Sequence, residues 1–236
     1  MNIPTIFDWI ARFDFLRGEP AVLMLLLTSL IIALFWDWRV ALFALTAQYL
    51  IAGLLVVDFL DPRLAIIKVL VGMFVCLILY FTARQVDYGH LPDDLPAPEM
   101  APAEEEKKRF ELGPWSVSRN TLVHTLIVVL GLIIVLIVTR ATSFSLPGIP
   151  DGLPYINDAV ITLMGMGIIG IVVSQNSLPA GMALFTFLTG FELYYAALEQ
   201  TIAILIVLAA LNFALALAIS YLSQARRASW YKLSND

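Results

Sequence analysis

Seven stretches of this chain, at about 20–38, 40–58, 63–83, 121–139, 155–175, 178–198 and 201–223, run for the length of a membrane crossing with hardly a charge in them. An α-helix rises about 1.5 Å per residue, so ~20 residues cover the ~30 Å hydrocarbon core of a bilayer. A soluble fold would have to hide every one of these stretches inside a charged exterior. The charges for that are missing: only 14% of the 236 residues are Asp, Glu, Lys or Arg and 60% are hydrophobic, where soluble domains are about a quarter charged. The fold class expected is therefore all-α, a polytopic bundle of about seven transmembrane helices with the lipid bilayer as its solvent.

Breakers and aromatics mark where these runs meet water. Trp36 and Trp38 close the first, Asp58 and Asp61-Pro62 close the second, and Tyr194 and Tyr195 close the sixth, as expected for rings at headgroup level and for a residue that ends a helix. Runs six and seven together exceed 40 residues, twice a bilayer, and Glu199-Gln200 between them marks a tight hairpin. Pro179 suits the first turn of run six, where no N–H is needed.

Five segments follow. Residues 1–19 carry Ile3, Ile6, Phe7, Ile10 and Phe13 at helical spacing with Asp8, Arg12 and Arg17 off that stripe, the pattern of a helix lying in the interface or of a packed extension of the first span. The same charges break up any signal-peptide core. Residues 20–83 form a three-helix half and residues 121–223 a four-helix half, with no obvious similarity in wording between them. Residues 84–120 join the halves as a Pro-rich, charged linker, within which EEEKKRFEL has Glu-to-Lys pairs suited to a short helix. Residues 224–236 form a polar tail, and SFSLPGIPDGLP breaks the chain between runs four and five. Counting Lys and Arg in alternate loops, nine against five, places the N terminus outside and the linker and C terminus in the cytoplasm.

Several classes of function are disfavoured. The net charge of -5 and the lack of a basic, aromatic-interleaved run argue against nucleic acid. The lone Cys76 allows neither an internal disulfide nor a cysteine metal site within the chain. Fingerprints such as HExxH, CxxC, GxSxG or a phosphate loop are missing, so no catalytic site and no cofactor are expected.

Chemistry, if any, rests on polar groups inside the spans. Glu192, in FLTGFELYYAALEQ, is the first candidate for a proton relay, because a carboxylate in an apolar helix is costly and faces protein or water; the alternative is that it reaches headgroup water from near the helix end. Glu199 lies seven residues on, on the same helical face or at the helix end. Asn212, mid-way along run seven, can bond across to another helix. His124 is an interfacial group or a relay. Lys68 can snorkel outward, and Asp158 sits where a helix dipole favours a carboxylate. The glycines of GMGIIG, with Gly181 and Gly190, allow helices to approach closely.

The order of three helices, a polar linker and four helices, with IIGIVVSQNSL ending run five and TGFELYYAALE in run six, resembles the component E membrane subunit of hydrogenase-4 and formate hydrogenlyase complexes. The residues carrying it are Gly170, Ser174, Gln175, Asn176, Gly190 and Glu192. More distantly, the last three helices are similar to the small three-helix K subunit of NADH-quinone oxidoreductase and to its counterpart, likewise of three helices, in Mrp-type antiporters. The resemblance implies a non-catalytic subunit of a complex I-like or membrane-bound hydrogenase-like assembly in a bacterial inner membrane. Its partners would be other membrane subunits of a redox-driven or antiporter-like complex, and Glu192 would belong to a chain of charges that couples electron transfer to proton or ion movement. Here Asn176 and Glu192 are farther apart than the matching pair in those families, and run seven offers Asn212 where the K subunit has a second glutamate. A stand-alone transporter of ions or small solutes and a membrane scaffold are the other readings; the first expects repeated halves and several polar groups at mid-membrane.

Overall fold

The computed structural model describes residues 14–35, 37–86, 109–112, 115–140, 145–149, 152–199 and 201–233. Among them are seven α-helices: α1 (Glu19–Leu34), α2 (Trp38–Val56), α3 (Pro62–Val86), α4 (Arg119–Arg140), α5 (Pro154–Val173), α6 (Ser177–Leu198) and α7 (Ile202–Leu233). Six, α2 to α7, are long and apolar enough to cross a membrane, and the chain is an integral membrane protein.

The first run is shorter than its sequence promises. Helix α1 has 16 residues, about 24 Å of rise, because Phe35 turns extended and Asp37 starts a new helix by accepting the Arg39 N–H at 2.9 Å. Run seven is longer: its apolar part ends at Ala225 but the helix continues to Leu233, since nothing in SQARRASWYKL is a glycine or proline to stop it. Of the interfacial segment expected over 1–19, residues 1–13 lie outside the described residues; the rest is a 3-10 turn at Asp14–Leu16, then Arg17 and Gly18, with Glu19 already in α1. Most of the linker also lies outside them. Its end is not the short helix suggested by EEEKKRFEL: Arg109–Leu112 is a strand, β1, paired antiparallel with β2, Trp115–Ser118. The alternation of RFEL and WSVS across the two residues Gly113-Pro114 suits a hairpin better than a helix.

Short connections make successive helices antiparallel, so the starts of α1, α3, α5 and α7 lie at one end of the bundle, here the near end, and the linker leaves from the far end. Glycines set the close contacts. A Cβ on Gly72 would overlap the Tyr49 ring, binding α2 to α3, and one on Gly167 would meet the Phe187 backbone N at 2.5 Å, binding α5 to α6.

Within the four-helix half, α4 stands apart from α5–α7, so the bundle groups as three, one and three. Helices α1–α3 and α5–α7 are two units of one plan: each opens with a proline in its first turn, and each joins its first two helices through three residues, 35–37 and 174–176. The units lie side by side with like helix on like, α1 on α5, α2 on α6 and α3 on α7. Hydrogen-bonded pairs between like helices keep nearly one spacing in sequence: Gln48 with Thr186 and Thr82 with Ser220 are 138 residues apart, and Gln85 with Gln224 is 139. Such a constant offset means that the paired helices run parallel. Helix α4 stands outside both units, packed on α5 and α1, with most of its surface exposed. At the near end Asp58 staples the units, accepting from the Arg17 guanidinium and from the Tyr155 hydroxyl at 2.8 Å.

Candidate functional site

Two charged residues buried within the spans, Lys68 and Glu192, meet where the two units meet. Glu192 on α6 is 7% exposed and Lys68 on α3 is 9% exposed. Lys68 Nζ lies 3.1 Å from Glu192 Oε2, and Asn212 Nδ2 on α7 donates to Glu192 Oε1. Three helices thus supply a cation, an anion and an amide to one point. Lys68 follows Pro62 by six residues and Glu192 precedes Leu198 by six, so both sit about 9 Å in from the near end. Equal depth on antiparallel helices is what lets them pair.

Burying either charge alone in hydrocarbon is costly, and burying the two in contact, with a further hydrogen bond to the carboxylate, offsets much of that. The pairing is incomplete in an informative way. Asn212 Oδ1 is buried without a hydrogen-bond partner among the described residues. A cavity of about 30 Å³ touches Lys68, Glu192 and Asn212, walled otherwise by apolar groups such as Leu64, Val71 and Leu208. That volume admits a water or two, which would satisfy the bare amide oxygen and link the ammonium to it.

Farther in, Gln48 on α2 is fully buried, with Thr186 Oγ1 3.4 Å from its Oε1 and no partner for its Nε2 among the described residues. Turning the amide over exchanges which end is bare. Tyr49, beside it in sequence, is buried against Gly72 with its hydroxyl also unpartnered among the described residues.

The other candidates are elsewhere. Helix α6 ends at Leu198, so Glu199 is not on its inner face; it is exposed in the hairpin and accepts from Thr201 Oγ1. His124 lies five residues into α4, at the far end of a helix outside both units, while Glu192 is near the opposite end. Lys68 does not snorkel to the surface. At that depth a lysine can turn either way, and packing against Glu192 turns this one inward. Among the described residues no group of three His, Cys, Asp or Glu is placed to hold a metal.

Fold and site define a polytopic helical membrane protein with an ion pair buried between repeated three-helix units. No protein family, curated protein or solved structure matches the chain.

Proposed function

We propose that this chain is a non-catalytic membrane subunit of a complex I-like or membrane-bound hydrogenase-like assembly, and that Glu192 is its proton-relay group. The observation that carries the reading is the Lys68–Glu192–Asn212 cluster: a carboxylate held by a cation and an amide inside an apolar bundle can trade a proton against its ion pair. When Glu192 takes up a proton the attraction to Lys68 is lost, and when it releases one the pair re-forms, so occupancy is coupled to a local rearrangement. The resemblance of IIGIVVSQNSL and TGFELYYAALE to component E subunits supports an assembly of that kind. In it the N terminus faces outward and the linker and tail face the cytoplasm of a bacterial cell.

Purifying the tagged protein in mild detergent and identifying its companions tests the assembly, for which redox or antiporter-like membrane subunits are expected. Glu192→Gln in the assembled complex is expected to stop ion pumping while leaving assembly intact; unchanged pumping would remove the relay role.

A stand-alone carrier is the second reading, favoured by the two parallel three-helix units, since many carriers are built from repeats. Such carriers bind substrate at broken helices, and among the described residues each of the seven helices runs without interruption.

A further inference from the structure

The inner faces of α3, α6 and α7 share a pattern that the ion pair alone does not explain. On α7 the buried positions between Ile202 and Ala225 are Asn212, Ala216, Ile219 and Ser223, one stripe at helical spacing, polar at both ends and apolar between. On α3 the buried positions begin at Ala65 and include Lys68, then Gly72, Val75 and Leu79, and then Thr82. On α6 the positions facing α7 begin with Ser177 and end with Glu192, with Gly181 and Leu188 between them.

The polar ends meet in register. At the near end Lys68, Glu192 and Asn212 form the cluster already described. At the far end Thr82 donates to Ser220 at 2.8 Å, Ser177 and Ser223 hydroxyls are 3.0 Å apart, and Gln224 donates to Gln85 at 3.0 Å. Hydroxyls and amides at this level have no role in holding the ion pair, which is on the other side of the bundle. Between the two polar levels Val75, Leu79, Leu188, Ala216 and Ile219 pack into one dry cluster. From Asn212 to Ser220 is eight residues, so this layer is about 12 Å thick. Within it Ile219 packs closely on α6: a Cβ on Gly181 would meet its Cγ2 at 2.7 Å. With glycine at 181, Ile219 fills the space against α6 without having to shift.

We infer that the α3–α6–α7 seam is a proton route across the bundle, served by Glu192 at the near end and by the Thr82, Ser177, Ser220 and Ser223 hydroxyls at the far end, and kept shut by the Ile219–Ala216 layer. This rests on the relay reading of Glu192 and adds where the route runs and what closes it. A proton reaching Glu192 breaks its pair with Lys68 and stops there, because Val75, Leu79, Leu188, Ala216 and Ile219, which lie along the seam between it and the far-end hydroxyls, carry no donor or acceptor; Gln48 and Tyr49 belong to the α2 side. Conduction requires the layer to part and admit water. A closed layer keeps the relay from short-circuiting the membrane potential when it is not driven.

The test places hydroxyls in the layer. Full-length wild type, Ala216→Ser and Ile219→Ser are reconstituted into liposomes loaded with a pH-sensitive dye, and proton entry is driven by a potassium diffusion potential. Wild type should be tight. Each seam variant should leak about tenfold faster, the change given by lowering a barrier by about 1.4 kcal/mol. Adding Glu192→Gln should return the leak to the wild-type level. Ile169→Ser, a polar substitution against α4 and outside the seam, should remain tight. Ala216→Ser is small enough to keep the fold should Ile219→Ser lose it. Tight vesicles with well-folded seam variants would overturn the barrier and leave the relay reading standing, since that depends on Glu192→Gln in the assembly. A leak indifferent to Glu192→Gln, or an equal leak from Ile169→Ser, would overturn the route.

Discussion

The two three-helix units share their plan and differ in what they contribute to the point where they meet. Applying the offset of 138 found for Gln48 with Thr186 and for Thr82 with Ser220, the second unit has Glu192 where the first has Leu54, and Asn212 where the first has Phe74. The first unit has Lys68 where the second has Ile206, which is 64% exposed. One unit therefore brings the cation and the other brings the anion and the amide. The site exists only when the units are docked, so a charge that is intolerable in either alone becomes a specification for how they pack.

Lys68→Met should break this arrangement most severely, because it leaves Glu192 buried without its cation. A loss of roughly 3–5 kcal/mol is expected, measured by unfolding in detergent, and the double variant Lys68→Met/Glu192→Met should recover most of it. If the single variant were as mild as the double one, the pair would have no part in docking the units. Asn212→Leu removes a hydrogen bond to a charged group and should cost roughly 1.5–3 kcal/mol, whereas Phe74→Leu at the matching place in the first unit removes no such bond. A larger effect of the Phe74 change would mean that the contrast lies in packing, not polarity.

A smaller effect is expected where the units differ in closeness. Gly167→Ala pushes a methyl into the Phe187 backbone and should cost about 1–3 kcal/mol; Ser29→Ala, at the equivalent place in α1, should cost less, since its hydroxyl bonds only its own helix, at Leu26 O. Least of all, Ile206→Lys puts a lysine where the second unit has none. That position is exposed and four residues from the start of α7, so the ammonium can reach the interface, and a change under about 1 kcal/mol is expected against the Lys68→Met loss. Thermal melts of the single variants side by side would rank them, and a reversed order would undo the contrast between buried and outward positions.

Much of this was legible in one dimension. Seven apolar runs announced the bundle, because a helix in lipid must satisfy its backbone internally and keep its charges out. Glu192 stood out as the carboxylate that broke that rule, and Asn212 as an amide able to bond across. The repeat of the units was hidden, since apolar helices keep their plan while their letters drift; what the units still share is turn lengths and first-turn prolines. Lys68 was misplaced because a lysine two turns from a helix end can turn outward or inward, and only its neighbours decide. Glu199 was put in doubt by the same limit from the other side: seven residues would align it with Glu192 only if α6 continued, and it stops at Leu198.

Taken alone, the amino-acid order determined that this chain must live in a bilayer and roughly where each helix begins and ends, because hydrophobic length and breaker residues act locally. Tertiary structure alone decided which helices touch, and with it that Lys68, Glu192 and Asn212 share one point while Glu199 and His124 do not. Contacts between helices depend on facing and depth across some 140 residues of chain, and no local property of the sequence carries that information.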